Sequence, residues 1–377
     1  MRFPLRLISL HDIHLFHDKT STEKIIDRLE SQIFNPDYLK GVNLILYAGD
    51  LLDQVLLNSD ERVGYANMHY HRVLSLARQF GISIRLLHGT PSHDGSQGKQ
   101  FETIAKTLYP DVDFKYITDM EIEYIEKYDL SIMYVPDEWA EREVMYLTAR
   151  KLLREHDLDK IDIILGHNQF GYQFNESIRD KISHLKEDDW DEMVRYNAFF
   201  GHVHKRSTYK KIEVAGSFDR LAHGEEEPKG FLDVTYYSED NRVVKFVENK
   251  DAEVYTSITL TKKFDSKDIE SYRELDKQVE AINRDSGNIR FIYTDKEIDM
   301  KALLAYFRTK YNQYRFTEKY VSKESQYTPV LEVTQGYEQE YVALTRENIL
   351  SLILNEVKDD SIKNEIEKLS LHYINQC

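Results

Sequence analysis

The residues of this chain that could do chemistry stand directly after apolar runs. His11-Asp12-Ile13-His14 follows residues 7–10, Gly49-Asp50 follows 44–48, the His88–Asp94 segment follows 84–87, Gly166-His167 follows 161–165, and Gly201-His202-Val203-His204 follows Phe199-Phe200. Carboxylate and imidazole groups are ligands that manganese, iron and zinc accept in mixed nitrogen and oxygen sites. The pattern therefore predicts a metal site.

The supply of ligands favours two ions over one. In an open α/β sheet, ligands bind outside the carboxyl ends of the strands, so we expect these loops to converge. They offer more ligands than one ion needs, but they suit two ions that share a carboxylate. Ions about 3.5–4 Å apart can polarise a phosphate together and ionise a water between them.

Each motif alone has an ordinary structural alternative. Asp12-Ile13-His14 could be a surface turn, Asp50 could cap the next helix, and His202 with His204 could be solvated. His11, which ends a strand, is predicted to be structural. The joint occurrence of the motifs, in this order and at strand ends, favours the metal site over these alternatives.

Alternating strand-like and helix-like segments position the motifs. Strands are predicted over residues 5–10, 43–48, 82–87, 161–165 and up to 199–200, and helices over about 20–34, 61–80 and 139–156. This βαβ rhythm predicts an α/β fold with a largely parallel sheet covered on both faces. A strand pair near 121–135 and a hairpin over 229–249 with its turn at 238–241 are also predicted.

The length of the chain favours more than one domain. We predict a metal-binding domain over 1–250, a smaller α+β capping domain over 251–335 and a helical segment over 336–377. In the capping domain we expect strands near 254–260 and 289–293 and helices near 267–284 and 298–312. The last segment could pack on its own chain or dock onto a partner coiled coil.

Composition limits the setting in which the protein works. The net charge of −16 argues against a protein that coats nucleic acid, although a local basic groove and bound metals can hold DNA on an acidic chain. The single cysteine, Cys377, excludes a disulfide within the chain. No apolar run approaches the roughly 18 residues of a membrane span. We therefore expect a protein of the bacterial cytoplasm, or of the cytoplasm of an infected host cell, without membrane contact.

The order of the motifs, D-x-H, G-D, His-Asp, G-H and G-H-x-H, resembles that of calcineurin-like metallophosphoesterases. The later stretches Val214-Ala215-Gly216-Ser217 and Glu225-Glu226-Glu227-Pro228-Lys229-Gly230-Phe231 resemble the SbcD family of nuclease subunits, which includes the meiotic-recombination-eleven nucleases and phage recombination endonucleases. The resemblance covers about residues 1–235 and implies an αββα sandwich, followed by a small α+β capping domain and C-terminal helices.

The resemblance also implies roles for individual residues. Metal ligands would be Asp12, His14 and His204 for one ion, His167 and His202 for the other, with Asp50 bridging. His93 would contact the phosphate and help to protonate the leaving oxygen, with Asp94 orienting it. Manganese is the expected metal, with magnesium, iron or zinc as alternatives.

Two positions depart from the pattern of the family. Relatives carry an Asn ligand before the His-Asp pair, where this chain has Ser92, so we expect Ser92 to be a weak ligand of the second metal. Many relatives also carry a His three residues after the bridging Asp, where this chain has Asp53. Both departures bear on activity and not on the fold.

The resemblance implies a function in DNA repair and recombination. The chain would be the exo- and endonuclease subunit of a complex that processes double-strand ends and hairpins, acting as a homodimer and hydrolysing phosphodiesters with a metal-activated water. Its C-terminal helices would bind an SbcC-type SMC-like ATPase. Two alternatives stay open: a calcineurin-like phosphodiesterase with another substrate, and a scaffold subunit with weakened catalysis that positions the ATPase on DNA.

Overall fold

The computed structural model describes residues 1–95, 97–137, 141–260, 264–265 and 268–322. Met1–Lys319 form one compact unit. The helical segment predicted over 336–377 lies outside the described residues. Within the described part of the chain, none of the helices is both long enough and apolar enough to cross a membrane.

The strands alternate with helices through most of the described chain. In chain order, the strands are β1 (Leu5–Leu10), β2 (Leu44–Tyr47), β3 (Ser83–Leu87), β4 (Phe114–Ile117), β5 (Glu121–Ile125), β6 (Leu130–Val135), β7 (Ile161–His167), β8 (Val194–Gly201), β9 (Ser207–Tyr209), β10 (Ile212–Val214), β11 (Gly230–Ser238), β12 (Asn241–Glu248), β13 (Tyr255–Thr259), β14 (Gly287–Tyr293) and β15 (Tyr314–Tyr320). The helices are α1 (Thr22–Gln32), α2 (Pro36–Leu39), α3 (Glu61–Phe80), α4 (Pro91–Asp94), α5 (Gly98–Leu108), α6 (Arg142–Glu155), α7 (Glu176–Arg179), α8 (Glu187–Met193), α9 (Ile269–Glu280) and α10 (Met300–Lys310).

Two six-stranded mixed sheets form the body of the protein. The first has the order β12-β11-β1-β2-β3-β4, and the second has the order β5-β6-β7-β8-β10-β9. In the first sheet β1 to β4 run parallel, and β11 joins β1 antiparallel. In the second sheet β6, β7 and β8 run parallel. The strand orders place β1, β2, β7 and β8 in the interior of their sheets. The α/β class is thus confirmed, and the strands form two mixed sheets where the βαβ rhythm indicated a largely parallel one.

Apolar side chains divide among separate cores because each sheet is buried on both faces. One core lies between the two sheets and includes Leu7, Leu46, Ile132 and Phe199. A second joins the first sheet to α1, α3 and α5, and a third joins the second sheet to α6 and α8. The order of layers is therefore helices, sheet, sheet, helices. Interior strands such as β2 and β6 are buried along their whole length, which explains their continuous apolar runs.

The strands β13, β14 and β15 form a smaller three-stranded sheet, which packs with α9 and α10. This sheet has its own apolar core, which includes Ile258, Ile289, Leu303 and Phe316. The compact unit Met1–Lys319 nevertheless contains it together with the two large sheets. The division into domains after residue 250 therefore stays a prediction.

Local signals in the sequence located most elements to within a few residues. The helix predicted over 61–80 has those bounds and ends at Gly81, which adopts the left-handed conformation expected of a helix-terminating glycine. The hairpin predicted over 229–249 is β11 with β12. The strands β4, β9 and β10, each three or four residues long, were not predicted, and neither were the longer strand β15 and the helix α5.

Candidate metal centre

The carboxyl ends of interior strands from both sheets meet at one place. Asp12 and His14 follow β1, Asp50 follows β2, His167 ends β7, and His202 and His204 follow β8. His11 joins the two sheets here, because its Nδ1 lies 2.8 Å from the carbonyl oxygen of Phe200 and its Nε2 lies 2.8 Å from the Ser9 hydroxyl. His11 is thus a buried structural residue.

The backbone of this site is strained. Asp12, His14, Asp50 and His202 all have positive φ angles, between 46° and 95°. Such angles are uncommon for residues other than glycine, and they persist only where the surrounding structure enforces them. Residues in unfavourable conformations concentrate at functional sites, and here they coincide with residues whose types could bind metal.

Glycines allow the loops to approach one another. Gly49 has a φ of 85°, and a Cβ atom built on it would overlap the imidazole of His167. A Cβ atom on Gly89 would overlap the backbone and the carboxylate of Asp50. Only glycine fits at these two positions, so they set the close packing of Asp50 and His167.

The acidic and imidazole groups form overlapping sets of possible ligands. Three groups have all their ligand atoms within 4.8 Å of one another: Asp12 with His14 and His204, His14 with Asp50 and His93, and Asp50 with His167 and His202. The first and third groups share no residue, and the middle group connects them. The arrangement offers two neighbouring subsites, which we name the His14 subsite (Asp12, His14, His204) and the His167 subsite (Asp50, His167, His202).

In the His14 subsite the imidazole lone pairs face inward. His14 Nδ1 lies 3.1 Å from Asp53 Oδ1, and His204 Nδ1 lies 2.9 Å from Glu225 Oε1. These carboxylates accept the Nδ1 protons, so in neutral imidazoles each Nε2 carries a lone pair. The two Nε2 atoms lie only 3.0 Å apart. Two facing lone pairs repel unless a cation or a proton lies between them.

A buried carboxylate oxygen adds to this demand for positive charge. Asp12 is fully buried, and its Oδ1 accepts a hydrogen bond of 2.8 Å from the His202 backbone N–H. Its Oδ2 is buried without a hydrogen-bond partner among the described residues. An unsatisfied buried carboxylate oxygen is costly, and a metal ion would satisfy it. The residues of the His14 subsite therefore fit a divalent cation.

The His167 subsite is built in a similar way. His167 Nδ1 lies 2.7 Å from the carbonyl oxygen of Ala48, which fixes the proton on Nδ1 and leaves Nε2 free for a metal. That Nε2 lies 3.3 Å from Asp50 Oδ2, and Asp50 Oδ2 lies 3.6 Å from His14 Nε2. Asp50 thus stands between the two subsites, where a bridging ligand would be required.

The electrostatics of the site also favour positive charge. Burial lowers the pKa of His167, but Asp50 and Asp12 outweigh it and raise that pKa to about 10. Burial likewise opposes protonation of His14, yet Asp53 and Asp50 raise its pKa to about 9. Burial and the charge of His167 lower the pKa of His202 to about 3, so the carboxylates hold two of the histidines, and not all of them, in the charged form. The negative potential that those carboxylates create is one that a divalent ion would neutralise.

The loop after β3 differs from what the sequence suggested. Ser92 is exposed on α4, whereas Thr90 is the residue that approaches Asp50 and His167. The Thr90 N–H donates to Asp50 Oδ1 at 2.6 Å, and its hydroxyl lies 3.2 Å from Asp50 Oδ2 and 3.3 Å from His167 Nε2. Pro91 begins the short helix α4 and turns Ser92 outward, so the geometry points to Thr90 and not Ser92 as the hydroxyl of the site.

The His-Asp pair in this loop divides into two roles. His93 is about 20% exposed at the edge of the site, with its ring 5.2 Å from that of His14. Asp94 is buried, and its oxygens accept hydrogen bonds from the backbone N–H groups of Leu52, at 3.0 Å, and Gly89, at 2.7 Å. Asp94 therefore ties the loops after β2 and β3 together. Its orientation of His93 stays a prediction.

Three supporting residues were not assigned roles from the sequence. Asp53 and Glu225 hold histidines of the His14 subsite, and the buried Lys229 binds Glu225. Asp53 stands out in the sequence only as a departure from the family pattern. Glu225 and Lys229 lie in a stretch that carries the resemblance, but their contacts with His204 depend on the folding of a distant loop.

Comparisons with known proteins do not assign this chain to a family. No family model matches, and no curated protein matches. One similar solved structure is 10% identical in sequence, with a TM-score of 0.38. The likeness covers 65% of this chain and 99% of that chain. A likeness this distant supports no conclusion about function.

Proposed function

We propose that this chain is a metal-dependent phosphodiesterase with a calcineurin-like metallophosphoesterase fold, and that its substrate is DNA. The observation that carries the proposal is the meeting of the His14 and His167 subsites at Asp50. Six residues from four interior strands of two sheets converge there, and four of them have strained backbones. A packed core has no need for this arrangement.

The donor set suits two divalent ions. Imidazole nitrogen with carboxylate oxygen fits manganese, iron or zinc better than a site of oxygen alone, and we expect manganese. The ions would supply positive charge that polarises a phosphate and activates a water. Asp12, His14 and His204 would hold one of them, His167 and His202 the other, and Asp50 both.

The chain's own residues would bind and orient the substrate. His93 lies at the edge of the site next to His14, where its imidazole can donate a hydrogen bond to a phosphate oxygen and a proton to the leaving oxygen. Thr90 fixes both oxygens of Asp50. Asp94 keeps the loop that carries His93 in place through Leu52 and Gly89.

DNA is the proposed substrate because of the resemblance to SbcD-type nucleases and because of the charge beside the site. The chain is acidic overall, yet Lys205 and Arg206 follow His204 directly and are exposed. Cations at this position can bind the phosphates that flank the scissile bond. Homodimer formation and docking of an SMC-like ATPase through residues 336–377 belong to the same proposal.

The test is hydrolysis of linear duplex DNA, hairpin DNA and bis(p-nitrophenyl) phosphate by the purified chain, with Mn²⁺, Mg²⁺ or a chelator. Asp50→Ala should lower manganese-dependent DNA cleavage by at least about 100-fold, because it removes the shared ligand. Asp159→Ala is the matched control, since Asp159 is exposed in the turn before β7.

The three substrates separate the competing functions. Cleavage of DNA that depends on Asp50 supports the nuclease. Cleavage of bis(p-nitrophenyl) phosphate without cleavage of DNA indicates a phosphodiesterase with another substrate. A chain that binds Mn²⁺ but cleaves none of the three, even with an SMC-like ATPase added, would be a scaffold subunit.

A further inference from the structure

The imidazole of His93 faces a carboxylate from another loop. Its Nδ1 atom is buried, and Asp53 Oδ1 lies 3.9 Å from it. The side chain of His93 is about 20% exposed, so its other nitrogen, Nε2, is the one that remains for a substrate. Asp53 follows β2, three residues after Asp50, whereas His93 lies on α4 after β3.

Asp53 also contacts His14, and it can serve both histidines. His14 Nδ1 lies 3.1 Å from Asp53 Oδ1, and the rings of His14 and His93 pack edge to face with centroids 5.2 Å apart. Because His14 contacts Oδ1, Asp53 Oδ2 is available to accept the Nδ1–H of His93. The distance of 3.9 Å is about 1 Å longer than a hydrogen bond, and catalytic hydrogen bonds often tighten only when substrate binds.

The backbone around Asp53 is fixed, which sets the position of its carboxylate. The Asp53 N–H donates to the carbonyl oxygen of Leu15 at 2.7 Å, and the side-chain amide of Gln54 donates to the carbonyl oxygen of Phe16 at 2.8 Å. Both acceptors belong to the segment that directly follows His14. Asp53 is therefore held against the loop that carries its first histidine partner.

The neighbouring carboxylate, Asp94, is already committed to the backbone. Its Oδ1 accepts from the Leu52 N–H at 3.0 Å, and its Oδ2 accepts from the Gly89 N–H at 2.7 Å. Asp94 is buried, so a turn toward His93 would leave a buried N–H without this partner, which is unfavourable. Asp94 therefore serves the backbone of the loop, and Asp53 is the carboxylate placed for the His93 ring.

A histidine that donates a proton from Nε2 needs an acceptor for the proton on its Nδ1. A carboxylate at Nδ1 fixes the ring and keeps that proton in place while the other is transferred. Resting on the proposed function, we propose that Asp53, and not Asp94, is the positioning residue that orients His93 toward the leaving oxygen of the phosphodiester.

The proton transfer balances with water and His93 alone. The attacking water forms the new bond to phosphorus and releases a proton to solvent. The bond from phosphorus to the leaving oxygen breaks, its electron pair stays on that oxygen, and the oxygen takes the Nε2 proton of His93. His93 is then neutral, with its remaining proton on Nδ1 and bound to Asp53, until solvent protonates it again.

The test compares two leaving groups in saturating Mn²⁺. One substrate is ordinary linear duplex DNA, and the other carries sulfur in place of the leaving oxygen at the cleaved bond. Sulfur is placed at the 3′ or the 5′ bridging position, according to which bond the wild type cleaves. A thiol has a pKa of about 8.5, far below that of an alcohol, so a thiolate leaves without a proton donor.

Loss of proton donation should appear with the oxygen leaving group alone. His93→Ala should lower cleavage of ordinary DNA by about 10²- to 10⁴-fold, and Asp53→Asn should lower it by about 10- to 100-fold. With the sulfur substrate both losses should shrink to less than about 3-fold, because no proton is needed. In the His93→Ala background, Asp53→Asn should lower DNA cleavage by less than about 3-fold more, because the two residues act as a unit.

Asp94→Asn is the matched control, because it makes the same change of charge in the neighbouring carboxylate. It should lower cleavage of both substrates equally, since it disturbs the loop and not the proton on His93. A loss through the metal ligand His14 would likewise affect both substrates equally. The leaving group therefore separates that loss from the orientation of His93.

A second readout needs no activity. In the full chain with ¹⁵N-labelled histidine and Mg²⁺, NMR reports which imidazole nitrogens carry a proton, and His93→Gln identifies the His93 signals. His93 Nδ1 should be protonated in the wild type and in Asp94→Asn, and less so in Asp53→Asn. The same spectra show whether each variant is folded.

Other outcomes would overturn the inference. If Asp53→Asn lowered cleavage of both substrates equally and left the proton on His93 Nδ1, Asp53 would hold only His14. If Asp94→Asn were the variant whose loss disappears with sulfur, Asp94 would orient His93. A chain in which Asp53 keeps His93 protonated on Nδ1 but which cleaves no DNA would overturn the proposed function alone.

Discussion

The Thr90 hydroxyl lies 3.2 Å from Asp50 Oδ2 and 3.3 Å from His167 Nε2, while the Thr90 N–H donates to the other oxygen of Asp50 at 2.6 Å. Thr90 thus contacts both a carboxylate and an imidazole of the His167 subsite. Because its hydroxyl is the one placed between them, Thr90 controls the position of Asp50 and offers the subsite an additional oxygen.

Replacement of Thr90 tests this arrangement. Thr90→Val keeps the shape of the side chain and removes the hydroxyl, so we expect Mn²⁺ affinity at the His167 subsite to fall by about 10-fold. Ser92→Ala removes an exposed hydroxyl two residues away and should change the affinity less than about 2-fold. The measurement is Mn²⁺ binding to both variants. An equal loss in both would contradict the special role of Thr90, and a larger loss in Ser92→Ala would return the role to Ser92.

Asp50 and Thr90 show which residues of such a site can be predicted from the sequence and which cannot. The residues at strand ends, such as Asp50, could be predicted because apolar runs are local signals and parallel strands bring their carboxyl ends together. Thr90 could not be selected over Ser92, since the choice depends on a single turn of helix beginning at Pro91. The contact of Glu225 with His204 depends in turn on how two separate loops fold together.

The division into two sheets could not be read from the pattern for a similar reason. Strand β1 pairs with β11, whose residues lie more than 200 positions later in the chain. A run of buried apolar residues has the same appearance in either sheet, because interior parallel strands are buried on both faces. Periodicity therefore predicted the strands and the α/β class but not the sheet to which each strand belongs.

Metal should stabilise the folded chain. The Asp12 Oδ2 atom is buried without a hydrogen-bond partner in the described part of the chain, and His14 Nε2 faces His204 Nε2 at 3.0 Å. An ion would satisfy these groups, which are unfavourable without it. An ion present at 100 times its Kd adds about 2.7 kcal/mol to the free energy of unfolding. Unfolding in urea with Mn²⁺ or with chelator measures this gain. Asp159→Ala should retain it, and Asp50→Ala should lose most of it.

Asp94 should act on stability as well as on the site. Its oxygens accept the buried N–H groups of Leu52 and Gly89, and Asp94→Ala would leave both N–H groups without this partner. Each unsatisfied group costs about 1–3 kcal/mol, so we expect the free energy of unfolding to fall by about 2–4 kcal/mol. Asp94→Asn keeps one oxygen, so its free energy of unfolding should lie between those of the wild type and Asp94→Ala. Urea unfolding in chelator measures the three free energies. Equal stability of all three proteins would contradict a stabilising role for the Asp94 carboxylate.

A salt bridge between the sheets should make stability depend on pH. Arg85 of β3 is buried and donates to both oxygens of Glu123 of β5, at 2.8 and 2.9 Å. Burial alone would raise the pKa of Glu123, but the hydrogen bonds and charge of Arg85 lower it below its usual value. A lowered pKa stabilises the fold above the pKa of the unfolded state, and this contribution is lost as pH falls through the folded pKa.

Glu123→Gln measures the size of that contribution. At pH 7 it should lower the free energy of unfolding by about 1.5–3 kcal/mol, because a hydrogen-bonded charge is removed from Arg85. The difference from the wild type should shrink as pH falls below the ordinary Glu pKa of about 4.3 and on through the lowered pKa of folded Glu123. A difference that stays constant over this range would show that the charge of Glu123 is not responsible.

Glycine substitutions can separate backbone strain from the close packing of the metal centre. Gly49 and Gly81 both have positive φ, 85° and 67°, but a Cβ atom meets nothing within 4 Å at Gly81, whereas at Gly49 it overlaps the imidazole of His167. Gly81→Ala should therefore cost about 1–2 kcal/mol of stability and leave Mn²⁺ binding unchanged. Gly49→Ala carries the same strain and also displaces His167, so it should abolish binding at the His167 subsite while the His14 subsite still binds. If Gly49→Ala bound two ions like Gly81→Ala, the close approach of Gly49 to His167 would not be a requirement of the site.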